Sequence, residues 1–118
     1  MNFLLVFIGG GIGCLLRYLI GLQIQKTSTS LPWATFIANV SACFVFALVV
    51  WFTSNKGTNQ TPLKLLLLTG FCGGLSTFSS FGYETFLLLK QGLLWYALLN
   101  ILFSTSCCIL IFFSFNTK

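Results

Sequence analysis

Gly70-Phe71-Cys72-Gly73-Gly74-Leu75-Ser76-Thr77-Phe78-Ser79-Ser80-Phe81-Gly82-Tyr83-Glu84 lies inside an apolar run at residues 63–89. A run that long should cross a membrane as a helix. This one also holds a glycine pair, a cluster of hydroxyls, two phenylalanines three apart and the only acid in the chain. In lipid, non-helical backbone is tolerated only where protein buries it or where it lines a wet cavity. The stretch therefore predicts a broken helix at the centre of a site, with the break at Gly73-Gly74. The run is longer than the roughly 20 residues of a straight span, and a break accounts for the excess. Two half-helices leave orphan carbonyls on one side of the break and orphan N–H groups on the other. Such carbonyls are good ligands for a hard cation.

Beyond the break, Phe78 and Phe81 share one helical face at i, i+3, and Thr77, Ser80 and Glu84 share the next at i, i+3, i+7. Two phenylalanines in a membrane segment ordinarily meet lipid or pack. Among hydroxyls beside a helix break they also suit a small anion, because the edge of a Phe ring is positive. An intramembrane carboxylate marks function by default. Facing an anion path, ionised Glu84 would repel the anion, so it is expected either protonated or tied to Thr and Ser hydroxyls.

Three further apolar runs flank this one, at residues 3–22, 33–52 and 93–115, joined by short polar links at 23–32, 53–62 and 90–92. Each is long enough to span the hydrocarbon core. The 118 residues are 57% hydrophobic and 6% charged. A soluble domain carries about 25% charge, so a soluble fold is excluded. The expectation is an all-α membrane protein with one four-helix transmembrane domain over residues 1–118. The first run has no basic residue ahead of it and no small-x-small cleavage site, so it reads as a helix of the mature chain rather than a signal peptide.

The net charge of +5 does not indicate nucleic acid, because the basic residues are spread one per segment end rather than clustered. Lys56, Lys64 and Lys118 fall on one side of a four-span layout, and Lys26, Lys90 and Arg17 on the other. Orientation follows the Lys/Arg bias of short loops, and here the two sides balance. Such a chain can insert both ways round and pair as an antiparallel dimer. Cys14, Cys43, Cys72, Cys107 and Cys108 all lie in apolar runs without a metal-type spacing, which reads as small buried thiols.

In the first run Gly9, Gly13 and Arg17 stand four apart, and glycines at that spacing let another backbone approach. Arg17 reads either as a snorkelling interface residue, as a fixed charge drawing anions to an entrance, or as a clamp on the helix ends of the partner. In the second, Ala34, Ala38 and Ala42 form a small face beside Thr35, Asn39 and Cys43. Asn39, near mid-membrane, is either interhelical glue or an NH2 donor aimed into a pore. In the fourth, Asn100, Ser104 and Cys108 make a weak polar stripe that suits helix–helix glue. With no His and a single acid, no catalytic constellation is present, which argues against an enzyme.

Three blocks resemble the Fluc (CrcB-type) fluoride channels: Gly9-Gly10-x-x-Gly13-x-x-x-Arg17-Tyr18, Thr35-x-x-x-Asn39, and the stretch from Gly70 through Phe81 to Glu84. The third block is the specific one. The resemblance implies a fluoride-selective channel that exports toxic cytoplasmic fluoride passively across the cell membrane. It implies a dual-topology antiparallel homodimer in the lipid bilayer with two pores. Carried over, Phe78 and Phe81 would contact fluoride and Asn39 would donate its amide to the ion. Thr77, Ser80 and Ser104, with Glu84 nearby, would form a polar track. A structural Na+ on the dimer axis would be held by the backbone carbonyls of Gly73 and Ser76. The rival is a small multidrug-type proton-coupled exporter, also four-spanned and dual in orientation. It depends on a Glu in the first helix, where this chain carries Arg17 instead.

Overall fold

The structure is a computed structural model that describes residues 1–26, 31–55 and 61–116. Among the described residues it is helical, with four segments long and apolar enough to cross a membrane. Helix α1 spans Asn2–Ile24 and α2 spans Trp33–Asn55. The third span, Thr61–Lys90, is built in two halves. Its first half, α3, runs through an α turn at Thr61–Lys64, a π-helical stretch at Leu65–Cys72 and a last turn at Gly73–Leu75. Its second half, α4, is Phe78–Lys90, and α5 is Leu94–Phe115. At 1.5 Å per residue α1, α2 and α5 are each about 33 Å long, enough for a hydrocarbon core of about 30 Å.

The four-span reading holds, but the break is not at Gly73-Gly74. Gly73 is right-handed helical, with φ −64° and ψ −35°. The chain leaves the helix three residues later, where Ser76 (φ −77°, ψ 154°) and Thr77 (φ −150°, ψ 118°) are extended. The glycines have a different task, which is to bring α3 against α1. A Cβ on Gly9 would collide with Leu66 O and lie 2.9 Å from Phe71 N; one on Gly13 would collide with Phe71 O and lie 2.8 Å from Leu75 N. From the other side, a Cβ on Gly70 would come within 2.9 Å of Val6 O, and one on Gly74 would strike Gly10 O. Two backbones meet here with no side chain between them, the small-residue packing that stands in for the hydrophobic effect inside lipid. Gly73 faces open space.

Behind this seam, Ala38 and Ala42 of α2 pack on Cys72 and Leu75, with Ile20, Val45 and Phe71 at the margin. The small face expected on the second helix is therefore its contact with α3. Pro32 sits just ahead of α2, and its carbonyl accepts the Phe36 N–H at 3.1 Å. Between α4 and α5 the chain turns at Gly92, with φ +76°. Gly92 N–H donates to Leu89 O at 3.0 Å and Leu93 N–H to Leu88 O at 2.9 Å, the paired bonds of a Schellman stop. Only 11% of the apolar windows of α1 and of α5 is buried within the chain. Their outward faces are left for lipid or for another protein surface. Lys56 and Lys118, two members of the balanced charge pattern, lie outside the described residues.

Candidate functional site

The break needs partners because lipid offers none. A helix end in a membrane must have its free backbone groups satisfied by protein. Here α1 and α2 supply them. Asn39 of α2 faces Thr77 with both ends of its amide: Oδ1 accepts the Thr77 N–H at 2.7 Å and Nδ2 donates to Thr77 O at 3.2 Å. Arg17 of α1 reaches the last carbonyl of the first half, with Nη1 donating to Ser76 O at 3.2 Å. Ser76 itself closes the preceding turn, its N–H and its hydroxyl both donating to Cys72 O, at 2.9 and 2.8 Å. Thr77 caps α4, its Oγ1 accepting the Ser80 N–H at 3.2 Å. That is the N-cap arrangement that Thr favours.

Of the expected roles, Asn39 as glue is realised, whereas Arg17 clamps a helix end of its own chain rather than one of a partner. Neither excludes a second role. The Asn39 NH2 carries two hydrogens and commits one to Thr77 O. Its orientation is fixed by the Thr77 N–H, which only the amide oxygen can accept.

A cavity of about 240 Å³ opens beside this clamp, lined by Asn39, Cys43, Ser76, Thr77, Phe78, Phe81, Ser104, Thr105 and Cys108. Five of the expected pore residues meet here, Asn39, Thr77, Phe78, Phe81 and Ser104, together with Ser76 of the expected sodium site. The Phe78 and Phe81 rings are neighbours, with centroids 5.9 Å apart and planes tilted by 36°. Phe78 is 84% exposed, so its side of the cavity is open within one chain. Ser104 is buried and donates to Asn100 Oδ1 over a long 3.4 Å.

Ser80 and Glu84 are not part of this lining. Ser80 turns its hydroxyl to Thr77, accepting from Oγ1 at 3.2 Å. Glu84 turns toward α2, where Oε1 accepts the Thr35 hydroxyl at 2.6 Å. Its other oxygen is buried without a hydrogen-bond partner among the described residues. The tie to a Thr hydroxyl is thus present, and the carboxyl is held away from the cavity.

The carbonyls expected to hold sodium differ from each other. In a continued helix the Thr77 N–H would bond to Gly73 O, but it goes to Asn39 instead, freeing that carbonyl. Ser76 O already carries the Arg17 guanidinium. Both are hard neutral oxygens at the negative end of a half-helix, which suits a hard cation in kind. Two such oxygens are too few to hold the ion alone.

Thr85 enters the site unannounced, and Thr35 takes a role that its polar face did not specify. Thr35 is the partner of Glu84, four residues before the partner of Thr77, so one face of α2 docks twice onto the third span. Thr85 is buried and passes a chain of bonds from α5 to α4: Asn100 Nδ2 donates to its Oγ1 at 3.0 Å, and that hydroxyl donates to Phe81 O at 2.8 Å. Asn100 is therefore helix–helix glue, as its stripe suggested. The signal for Cys43 and Cys108 lay in those same stripes, four residues beyond Asn39 and Ser104. The cysteines are also less uniformly buried than expected: only Cys72 is buried, Cys14 is exposed, and the rest are half-buried.

The likeness to known proteins runs along most of the chain. The family profile described as CrcB-like protein, Camphor Resistance (CrcB), matches residues 4–114. A fluoride-specific ion channel FluC of Klebsiella pneumoniae (strain 342) is 46% identical over 99 residues, covering 82% of this chain and 76% of the relative. Fluoride-specific ion channel FluC 1 of Yersinia pestis is 41% identical over 117 residues, covering 96% and 92%. A FluC of Prosthecochloris aestuarii (strain DSM 271 / SK 413) is 43% identical over 99 residues, covering 84% and 77%.

Proposed function

This chain belongs to the CrcB-like family of fluoride-specific ion channels, and from that premise we propose that fluoride crosses the membrane past the clamped break of the third span. The protein is a multi-pass membrane channel for fluoride and not an enzyme. The observation that supports this route most is the convergence of Asn39, Ser104 and two Phe rings on one cavity beside the break.

Fluoride is small and strongly hydrated, so a path must return the hydrogen bonds that water gives up. The uncommitted N–H of Asn39 is one such donor. The Ser104 hydroxyl becomes a second when its single hydrogen turns from its long bond to Asn100 toward the ion. Phe78 and Phe81 add ring edges, which attract an anion without binding it tightly. Conduction needs that balance, favourable enough for entry and weak enough for release. Glu84, drawn toward Thr35, leaves the cavity lining free of carboxylate. Arg17, on the break itself, contributes a fixed positive charge that raises the local anion concentration.

The working unit in this proposal is an antiparallel homodimer with two paths. A cavity open at Phe78 needs a second chain to close it, and the even spread of Lys and Arg permits the inverted partner. Gly73 O and Ser76 O from each copy would hold a sodium ion on the axis, where it would supply positive charge that fixes the two breaks together. Export of cytoplasmic fluoride is then passive, down its electrochemical gradient.

The test is ion efflux from liposomes holding the purified protein, followed with a fluoride electrode and with chloride measured in parallel. Fast fluoride efflux with negligible chloride efflux is the expected result. Comparable rates for both ions would remove the Phe-walled cavity as the selective element. Proton-coupled transport of a cationic drug by the same liposomes would instead favour the exporter.

A further inference from the structure

Cys43 and Cys108 come from different helices, α2 and α5, yet both line the cavity beside the break. The two thiols are near enough to interact electrostatically. Cys43 also borders an adjoining cavity of about 160 Å³, together with Ser76, Gly73 and Phe112. Cys43 and Ser76 are common to both linings, whereas Cys108 borders the first cavity alone. Sulfur ligands select soft cations over hard ones. Among the described residues, no group of three or more His, Cys, Asp or Glu could hold a metal ion. A four-ligand zinc site is therefore not available here. Two facing thiols are instead the ligand set of a soft d10 cation that prefers two-coordinate, linear bis-thiolate geometry.

We propose that Cys43 and Cys108 form a two-thiolate site for such a soft cation, and that its occupation blocks ion flow through the cavity beside the break. Both thiols give up their protons, two S–metal bonds form, two protons leave to solvent, and no atom changes oxidation state. The adjacent Cys107 lies about 100° around the helix from Cys108 and does not border the cavity. The blocking half of the proposal rests on the cavity being the fluoride path; the binding half does not.

Mercuric ion is the probe. A C14S/C72S/C107S chain, keeping only Cys43 and Cys108, is expected to take up a single mercuric ion per chain with release of two protons. Its fluoride efflux from liposomes is expected to fall to the background of empty vesicles and to return on adding dithiothreitol. Adding C43S or C108S to that background should halve the proton release. It should also leave efflux in mercuric ion equal to the variant's own metal-free rate. Two-proton binding in either single-thiol chain, or no binding in the two-thiol chain, overturns the site. Two-proton binding with undiminished efflux keeps the site but overturns the block and the cavity as ion path. If a serine variant does not conduct, proton release on binding still decides the metal site.

Discussion

The third span meets its neighbours in two different ways within a few residues. From Leu66 to Leu75 it meets α1 through glycines, backbone against backbone, while it is still helical. From the Ser76 carbonyl through Thr77 it leaves the helical bonding pattern and takes replacements from Asn39 and Arg17. The first region is held by shape and the second by hydrogen-bond stoichiometry. Glycine and irregular backbone are thus separable in a membrane. Glycine here marks where another helix comes close. The departure from helix occurs instead where nearby side chains can replace the lost bonds.

The largest damage is expected at the seam. Gly74→Val places carbon into Gly10 O, where neither backbone can retreat, and the expected loss is about 3 kcal/mol or more. It should read out as loss of the folded peak in detergent on size exclusion, while Gly73→Ala, facing open space, keeps it. Equal behaviour of the two would mean that the seam is not tightly packed. Next comes the clamp. Asn39→Ala leaves the Thr77 N–H and carbonyl unpaired at about 1–3 kcal/mol for each group buried. Fluoride efflux should fall about tenfold or more, and the thermal midpoint should drop with it. Full efflux would reduce Asn39 to packing. Phe81→Ile separates conduction from the integrity of the break, because it touches the cavity without touching the clamp. Fluoride efflux should drop sharply while the melting temperature stays near wild type. The mildest change is expected from Glu84→Gln, which keeps the acceptor for Thr35 and lies outside the cavity lining. Efflux within about threefold of wild type agrees with an energy change under 1 kcal/mol. A complete loss would put the carboxyl back on the ion path.

The four spans were legible because twenty consecutive apolar residues are a one-dimensional signal. The importance of 70–84 was legible too, since hydroxyls and an acid inside such a run conflict with simple lipid exposure. The position of the break was not. Gly73-Gly74 reads as a weak helical point from propensity alone, and only the nearness of Gly10 shows that Gly74 is there for contact. Thr77 and Asn39 are 38 residues apart, and Thr35 and Glu84 are 49 apart. No local pattern joins such pairs. Asn39 was singled out for its cost in lipid, yet its first partner is a backbone amide, which carries no side-chain signature in the sequence. The π-helical stretch at Leu65–Cys72 was equally silent, its residues being ordinary helix formers apart from Gly70.

The clamped break also has a direction in time. Chains are made from the N-terminus, and segments fold as they emerge. Arg17 and Asn39 both precede Ser76 and Thr77, so both clamps are already in the membrane when the irregular backbone arrives. The irregular segment of the third span is synthesised after the side chains that hydrogen-bond it. A chain ending after Lys90 would be expected to insert its third span, whereas one beginning after Asn39 would not.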